Sequence, residues 1–427
     1  MRKKVLVRAP VLTRSGYGEH GRFVLRSLRS RPDLFEIYII PIKWGETGWI
    51  WQDDEERSWV DERIRVTAAY AASNGQFDIS IQVTIPNEWE RMAPINIGVT
   101  AGIETTKVAP VWLEKTNMMD KVITISEHSK AGFIDTVYHG QNSQTGQEMV
   151  LNCTTPVEIV HYPIKTYENL PEINLDLEYD FNYLLVAQLG PRKNVENSVR
   201  WFMEENFDQE VGLIVKTGLK GGSIIDREHT YVSIKSILEK HTDPERKCKI
   251  YLLHGDMTDA EMHSLYVHPK IKCLVSATHG EGFGLPLFEA AYSGMPVIAP
   301  GWSGHCDFLY APPQGSKKKG KKKRTKQAYF AEVEYTLEPI QKNAVWDGVI
   351  PEDSMWCFPQ EGSFKMRLRQ VRKNYDKWKK KATILQGWIG KNFKEEDKYA
   401  DFVNNIISPE ELEMVAEINE MFKDLSV

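Results

Sequence analysis

Short, uninterrupted apolar runs separated by amphipathic or polar stretches recur along the chain. In the first half they fall at residues 5–8, 37–41, 79–83, 97–100 and 121–125, with a helical spacing of apolar residues over 18–29. A stretch at 170–180, rich in acids and carrying Pro171, interrupts the pattern. It then restarts with apolar runs at 183–187, 212–216 and 249–253, helical spacings at 195–205 and 230–240, and a further run ending at Val275. Runs of four or five apolar residues without alternation are the mark of strands buried on both faces, and their alternation with helices predicts parallel sheets covered by helices. Two such series predict an α/β protein of two parallel-sheet domains, expected over residues 1–172 and 173–394. Further helical spacing at 364–394 and from 409 onward leaves 395–427 as a C-terminal helical segment. A chain of 427 residues also exceeds the size at which one hydrophobic core keeps growing.

The densest chemistry lies between Ser276 and Asp307, SATHGEGFGLPLFEAAYSGMPVIAPGWSGHCD, where Glu281 and Glu289 stand with seven residues between them around a Gly-Phe-Gly turn. Residues 273–275 read as the end of a buried strand, 280–284 as a tight loop, and 285–293 as a helix with Pro286 in its first turn, where proline is tolerated. Amides at such a turn point outward with the positive end of the helix, ready for a phosphate or a sugar hydroxyl. One carboxylate then sits in the loop and the other two turns into the helix, so the unit can grip two parts of one polyhydroxylated ligand. In AQLGPRKNVENSVRWF, Arg192 and Lys193 precede a helix that Asn194 could cap, and two cations there suit a departing diphosphate. Lys216 ends the strand GLIVK and is a further cation for the same site. Ser15-Gly16-Tyr17-Gly18, after the first strand, forms a loop where backbone can approach phosphates.

The blocks EGFGLPLFEA and GMPVIAP, with Gly301 and Gly304 after them, closely resemble the donor-sugar motif of the retaining glycosyltransferases of family 4, which implies the GT-B fold of two Rossmann-like domains facing each other across a cleft. The resemblance implies that Glu281 and the amides of Gly282, Phe283, Gly284 and Leu285 hold the donor sugar, and that Glu289 binds the nucleotide ribose. It assigns Arg192 and Lys193 to the diphosphate, although relatives space this pair more widely, and it implies a C-terminal helix crossing back to the first domain. Gly16, Tyr17, Lys216, His254 and Gly255 join the donor-binding candidates. His279 either faces the donor sugar or is a structural histidine. Glu104, after the run 97–100, either orients or deprotonates the acceptor hydroxyl or serves as a helix cap or solvated acid. The implied reaction is front-face transfer with retention from a nucleotide-diphosphate sugar, UDP-sugar foremost. On this reading no cofactor and no metal are required, and no Asp-x-Asp metal motif falls between a strand and a loop.

Bulk properties narrow the setting. Apolar residues make up 41% and charged residues 26%, as in ordinary globular proteins, and no apolar run approaches a membrane span. The five cysteines show no close pairing, so neither a disulfide framework nor a zinc site is indicated, and a cytoplasmic enzyme is expected. The net charge of −5 is uneven: residues 1–31 carry +8 and residues 313–381 carry +10. The basic insertion at 313–327 contains Lys317, Lys318, Lys319, Lys321, Lys322, Lys323 and Arg324, which with the helix RLRQVRKNYDKWKKK could form a track for a phosphate backbone. GPRKNVENSVRWF, HGEGFGLP and VWDGVIPEDSMWCFP look most like the members of the family encoded by tailed bacteriophages, which implies a 5-hydroxymethyl pyrimidine in double-stranded phage DNA as acceptor. A glycan, lipid or protein acceptor, or a nucleotide-sugar-binding protein or epimerase on the same fold, remains an alternative.

Overall fold

The structure, a computed structural model, describes residues 2–141, 146–241, 243–313 and 325–423. The first domain is built on β1 (Lys3–Ala9), β2 (Phe35–Pro41), β3 (Ile79–Val83), β4 (Ile95–Val99) and β5 (Lys121–Thr124). Its helices are α1 (Gly16–Arg29), α2 (Glu55–Ala72), α3 (Pro110–Thr116) and α4 (Glu127–Ile134). An antiparallel pair, β6 (Val137–Gln141) and β7 (Glu148–Asn152), stands outside the sheet, and β8 (Val157–Ile159) completes it. The six parallel strands run in the order β2-β1-β3-β4-β5-β8. Val5, Val7, Ile81 and Val83 are wholly buried, which is why these runs lack polar alternation. Ser15 starts α1 by accepting from the Gly18 amide at 2.9 Å, and the helix buries Phe23, Val24, Leu25 and Leu28 against the sheet.

The second domain repeats the plan with β9 (Asn182–Val186), α5 (Val195–Glu205), β10 (Gly212–Lys216), α6 (Ile224–Glu239), β11 (Lys249–Leu253), α7 (Asp259–Val267), β12 (Ile271–Val275), α8 (Leu285–Tyr292) and β13 (Val297–Pro300). After α9 (Cys306–Leu309) and the short pair β14 (Tyr310–Ala311) and β15 (Gln327–Ala328), β16 (Ala331–Val333) closes a second parallel sheet ordered β11-β10-β9-β12-β13-β16. An antiparallel hairpin, β17 (Tyr335–Pro339) and β18 (Met355–Pro359), follows. The helical stretch expected at 364–394 is two helices, α10 (Glu361–Lys373) and α11 (Tyr375–Asn392), separated at Asn374. Next, α12 (Glu395–Asn404) crosses back onto α1, with Phe402 5.8 Å from Phe23 between ring centres, and α13 (Pro409–Lys423) brings Glu411 within 2.9 Å of Lys3.

The helix α2 was not anticipated. The acidic run Asp53–Glu56 is the start of α2, with the Asp54 carboxylate accepting from the Arg57 amide at 2.8 Å and Glu55 and Glu56 in the first turn, where the helix dipole favours negative charge. Only Val60 and Thr67 of α2 are fully buried, so the helix has almost no apolar stripe for periodicity to detect.

The domains meet where β-strand carboxyl ends face each other. A Cβ on Gly280 would lie 2.5 Å from the Glu104 carbonyl oxygen and one on Gly282 2.6 Å from that of Ala101, so the loop after β12 fits against the first domain only as bare backbone. The Ser126 hydroxyl, at the start of α4, donates to the Gly282 carbonyl at 2.6 Å, and the Glu127 amide donates to Asp307 at 2.9 Å. Within the second domain a Cβ on Gly304 would come 1.9 Å from the Gly282 carbonyl oxygen. Gly304→Ala is therefore expected to destabilise the protein by about 2 kcal/mol or more, because backbone must move to relieve the overlap. Urea denaturation would read this as a lower midpoint at unchanged slope, and a midpoint equal to wild type would remove the packing argument.

Candidate functional site

A cavity of about 1090 Å³ lies between the domains and is lined by loops that follow β1, β4, β9, β10, β11 and β12. This is where open parallel sheets place ligands, beyond the carboxyl ends of their strands. The structure brings Gly16, Tyr17, Glu104, Arg192, Lys193, Lys216, His254, Gly255, Gly282, Phe283, Gly284, Leu285, Glu281 and Glu289 to its walls.

At its centre Lys193 Nζ sits 2.6 and 2.8 Å from the two carboxylate oxygens of Glu281, and Arg192 approaches the same carboxylate at 3.2 Å. The Arg192 guanidinium also reaches Glu104 of the first domain at 3.3 Å and donates to the Gly280 carbonyl at 2.7 Å. Despite their close spacing, both cations thus point to one place. Burial by itself would raise the Glu281 carboxyl, but Lys193 and Arg192 overcome it and hold the group at about 2. Asn194 does not cap α5 as expected: it adopts a left-handed conformation, φ 51°, and its side chain donates to the Ala277 carbonyl at 3.1 Å. Ser303 is likewise left-handed, φ 80°, and its hydroxyl accepts from the Glu281 amide at 2.9 Å. Two non-glycine residues in this costly region therefore frame Glu281, a concentration of strain typical of functional loops.

Gly284, φ 91°, turns the chain into α8 and leaves the first amides of that helix facing the cavity. The Phe283 ring points the other way, into a cluster with Tyr162, Phe288 and Phe308, so this residue offers the cleft its backbone only. Two turns on, Glu289 accepts from the Tyr266 hydroxyl at 2.9 Å. Burial pushes its carboxyl up to about 7, against the opposing effects of Lys165 and the Tyr266 bond. Lys216 donates to the Gly255 carbonyl at 2.6 Å, and burial lowers its ammonium from the usual lysine range. His254 Nε2 lies 2.7 Å from Asp226, whose carboxylate also accepts from the Lys220 amide at 2.8 Å, so histidine and glycine-rich loop 217–222 are fixed together. The Tyr17 hydroxyl is 2.8 Å from Thr100 Oγ1, and its ring stacks on Trp44 at 4.1 Å.

The structure does not bring His279 to the cavity. Its Nδ1 is 2.7 Å from the Cys357 carbonyl oxygen and its ring stacks on Trp356 at 4.9 Å, which makes it the structural histidine of the two readings. The expected basic track also changes. Among the N-terminal cations, Lys3, Arg8, Arg22, Arg26, Arg29 and Arg31 are each in an ion pair, as are Lys365 and Arg369 of α10. Counting charge along a segment misses partners supplied by other segments, such as Glu55 and Glu56 of α2. Lys317, Lys318, Lys319, Lys321, Lys322, Lys323 and Arg324 lie outside the described residues.

Sequence reasoning missed a second ionic group at the cavity wall. Lys165, in the segment joining the domains, lies 2.7 Å from both Glu19 of α1 and Asp259 of α7, and Arg22 and Arg26 share Glu19. Nothing in the local sequence marks these residues, because their partners come from three separate elements. Among the described residues no group of three His, Cys, Asp or Glu side chains is placed to hold a metal ion, and no helix is long and apolar enough to cross a membrane.

No protein-family model matches the chain. The serotype-specific mannosyltransferase WbdA of Escherichia coli is 29% identical over 120 residues, which is 27% of this chain and 13% of that protein, so the chain spans only a small part of its relative's length. Among solved structures, HepE of Anabaena in complex with UDP and glucose superposes with a TM-score of 0.60 at 10% identity, over 95% of this chain and 99% of that one. Sucrose-phosphate synthase of Thermosynechococcus elongatus gives 0.58 at 12% identity, over 99% and 100%. With two parallel-sheet Rossmann-like domains closed around a cleft and a returning C-terminal helix, the chain has the GT-B glycosyltransferase fold.

The raised Glu289 carboxyl has a measurable consequence. A group whose folded pKa of about 7 exceeds its usual 4.5 holds a proton in the folded state that it releases on unfolding, so stability falls as pH rises through that window. The urea midpoint is expected to fall between about pH 5 and pH 8. Glu289→Gln, which cannot ionise, should shrink that fall, and an identical pH profile in the variant would show that Glu289 titrates normally.

Proposed function

We propose that the protein is a glycosyltransferase that moves a sugar from a nucleotide-diphosphate sugar, UDP-sugar in the first instance, to an acceptor hydroxyl with retention, in the manner of the family 4 enzymes. The observation that carries this reading is the convergence of Arg192 and Lys193 on Glu281 at the centre of the interdomain cavity, 2.6 to 3.2 Å from its carboxylate. Solved structures with this fold hold UDP and glucose, or UDP-glucose, and that supports the donor class.

The cations act where charge develops. As the bond between the sugar's anomeric carbon and the diphosphate oxygen breaks, Arg192 and Lys193, while still paired with Glu281, donate to the departing phosphate and stabilise its charge. The acceptor oxygen bonds to the anomeric carbon on the face the diphosphate leaves, and its proton passes to a phosphate oxygen, so UDP departs with the proton. Glu281, kept ionised by its cations, is suited to accept hydrogen bonds from sugar hydroxyls. Glu289, at the far end of the cavity, accepts from ribose hydroxyls when ionised. Glu104 stands on the acceptor side, 3.3 Å from Arg192, and orients the incoming hydroxyl. Charge neutralisation by side chains makes the reaction independent of a metal on this reading.

The acceptor proposed is a 5-hydroxymethyl pyrimidine in DNA, in a phage-infected host cytoplasm, on the similarity of GPRKNVENSVRWF, HGEGFGLP and VWDGVIPEDSMWCFP to phage-encoded members. Lys377 and Lys380 of α11 are exposed on the face a phosphate backbone would meet, while Lys379 donates to the Gly294 carbonyl at 2.7 Å. A screen of nucleotide sugars against DNA containing 5-hydroxymethylcytosine or 5-hydroxymethyluracil, read as nucleoside mass, should show a gain of one sugar residue. Donor hydrolysis without transfer would move the acceptor elsewhere, and no donor turnover would refute the enzyme. Arg192→Ala should lower kcat by about 100-fold with a smaller change in donor affinity. Glu289→Ala should mainly weaken donor binding, measured by calorimetry, and intact kinetics in both variants would overturn the site.

A further inference from the structure

The segment that joins the two domains leaves a cation at the back of the cavity. The Ile164 amide donates to the Phe393 carbonyl at 2.8 Å, and Lys165 then sets its ammonium between the domains, 2.7 Å from Glu19 of α1 and 2.7 Å from Asp259 of α7. Glu19, Lys165, Asp259 and Glu289 all line the cavity. The first two acids have other means of balance: Glu19 also meets Arg22 at 3.0 Å and Arg26 at 2.9 Å, while the Asp259 side chain, at the start of α7, is 63% exposed. Glu289 has neither. It accepts from the Tyr266 hydroxyl at 2.9 Å, and Lys165 supplies the positive charge that reaches it. Facing Glu289 are thus Lys165 and Tyr167 from the connecting segment, Glu19 from α1, Asp259 and Tyr266 from α7, and Tyr292 one turn along its own helix. Elsewhere around α8, His263 of α7 is taken by Ser293 at 3.3 Å, Lys379 of α11 by the Gly294 carbonyl at 2.7 Å, and Asp307 of α9 by His161 at 2.9 Å.

We infer that Lys165 is a positioning residue for the donor: bridged between the domains by Glu19 and Asp259, it balances Glu289 so that this carboxylate can accept the hydroxyls of the nucleotide's ribose. The inference rests on the nucleotide-sugar reading and adds to that site a residue which lies in the segment between the two domains. A hydroxyl bonds more strongly to an ionised carboxylate than to a neutral one, so UDP is held best when Glu289 has lost its proton. Without Lys165, three carboxylates would share one corner of the cavity, and the one with no other balance would keep its proton to higher pH. Lys165 therefore sets the pH at which the ribose site becomes competent. Since burial places the Glu289 carboxyl at about 7, that change falls near neutrality.

The test is the affinity of the full chain for UDP as a function of pH, measured by calorimetry and compared with the profile of Glu289→Gln, which carries the ionisation of UDP's own phosphate. The affinity that wild type gains over this variant should rise through about pH 7. Lys165→Met should move the rise upward by about one pH unit or more, and Lys165→Arg should restore it. Asp259→Asn removes an exposed acid from the other side of the same ammonium and should move the rise downward. A site that was merely loosened would lose affinity at every pH alike and would not shift in opposite directions. An unmoved rise in Lys165→Met, an unmoved or raised one in Asp259→Asn, or a wild-type profile that coincides with that of Glu289→Gln would each overturn the assignment. Should Lys165→Met not fold, the direction of the Asp259→Asn shift decides. Failure of UDP to bind wild type at any pH would instead overturn the donor reading, and is read separately in the same titrations.

Discussion

Everything at the centre of this protein turns on one buried carboxylate. Glu281 is removed from water on a loop that fits between two domains, and an isolated charge there would be severely penalised. It is tolerated because Lys193 and Arg192 are delivered from the neighbouring loop, and Arg192 in turn reaches Glu104 across the cleft. The pairing costs backbone strain at Asn194 and Ser303 and demands glycine at 280, 282 and 304, where side chains would strike backbone. The same constraint leaves two cations and an acid together at the cavity wall, the set that the proposed reading assigns to a ligand carrying both phosphate and hydroxyl groups.

Around that centre the cavity is divided by chemistry. One end is ionic and built mainly by the second domain, with Glu289, Lys216 and the Asp226–His254 pair fixed by hydrogen bonds. A second group, Glu19, Arg22, Arg26, Lys165 and Asp259, ties the domains at the back of the cleft through the connecting segment. Such networks are fully satisfied only when both domains are in place.

The strand-and-helix plan was legible because the parallel strands are buried on both faces and therefore written as unbroken apolar runs; β3, β10 and β11 coincide with theirs. The donor loop was legible because backbone geometry demands glycine and proline at fixed positions, a constraint that is local. α2 was not, since it rests on the sheet by two buried residues and is held by ionic contacts to α1. His279 shows the limit in another form: its place two residues before Glu281 pointed toward the ligand, yet the β17–β18 hairpin, far along the chain, captures its ring. Charge totals by segment failed for the same reason, because the partners of Arg26 and Arg29 lie some thirty residues away.

The segment 340–354, between β17 and β18, reaches the first domain, where Asn87 Nδ2 donates to the Gly348 carbonyl at 2.8 Å and Lys107 pairs with Asp353, and this alters how the two halves of the molecule can be treated as units of inheritance. In a protein whose domains each own one substrate, exchanging the first half between relatives would carry acceptor preference with it. Here part of the cavity wall is encoded in the second half, where Val349 is seated among Trp89, Ile103 and Trp112 of the first. A recombinant junction near residue 170 would separate Val349 from the pocket it fills, so the two halves can diverge only together or by exchanging the hairpin along with the first domain.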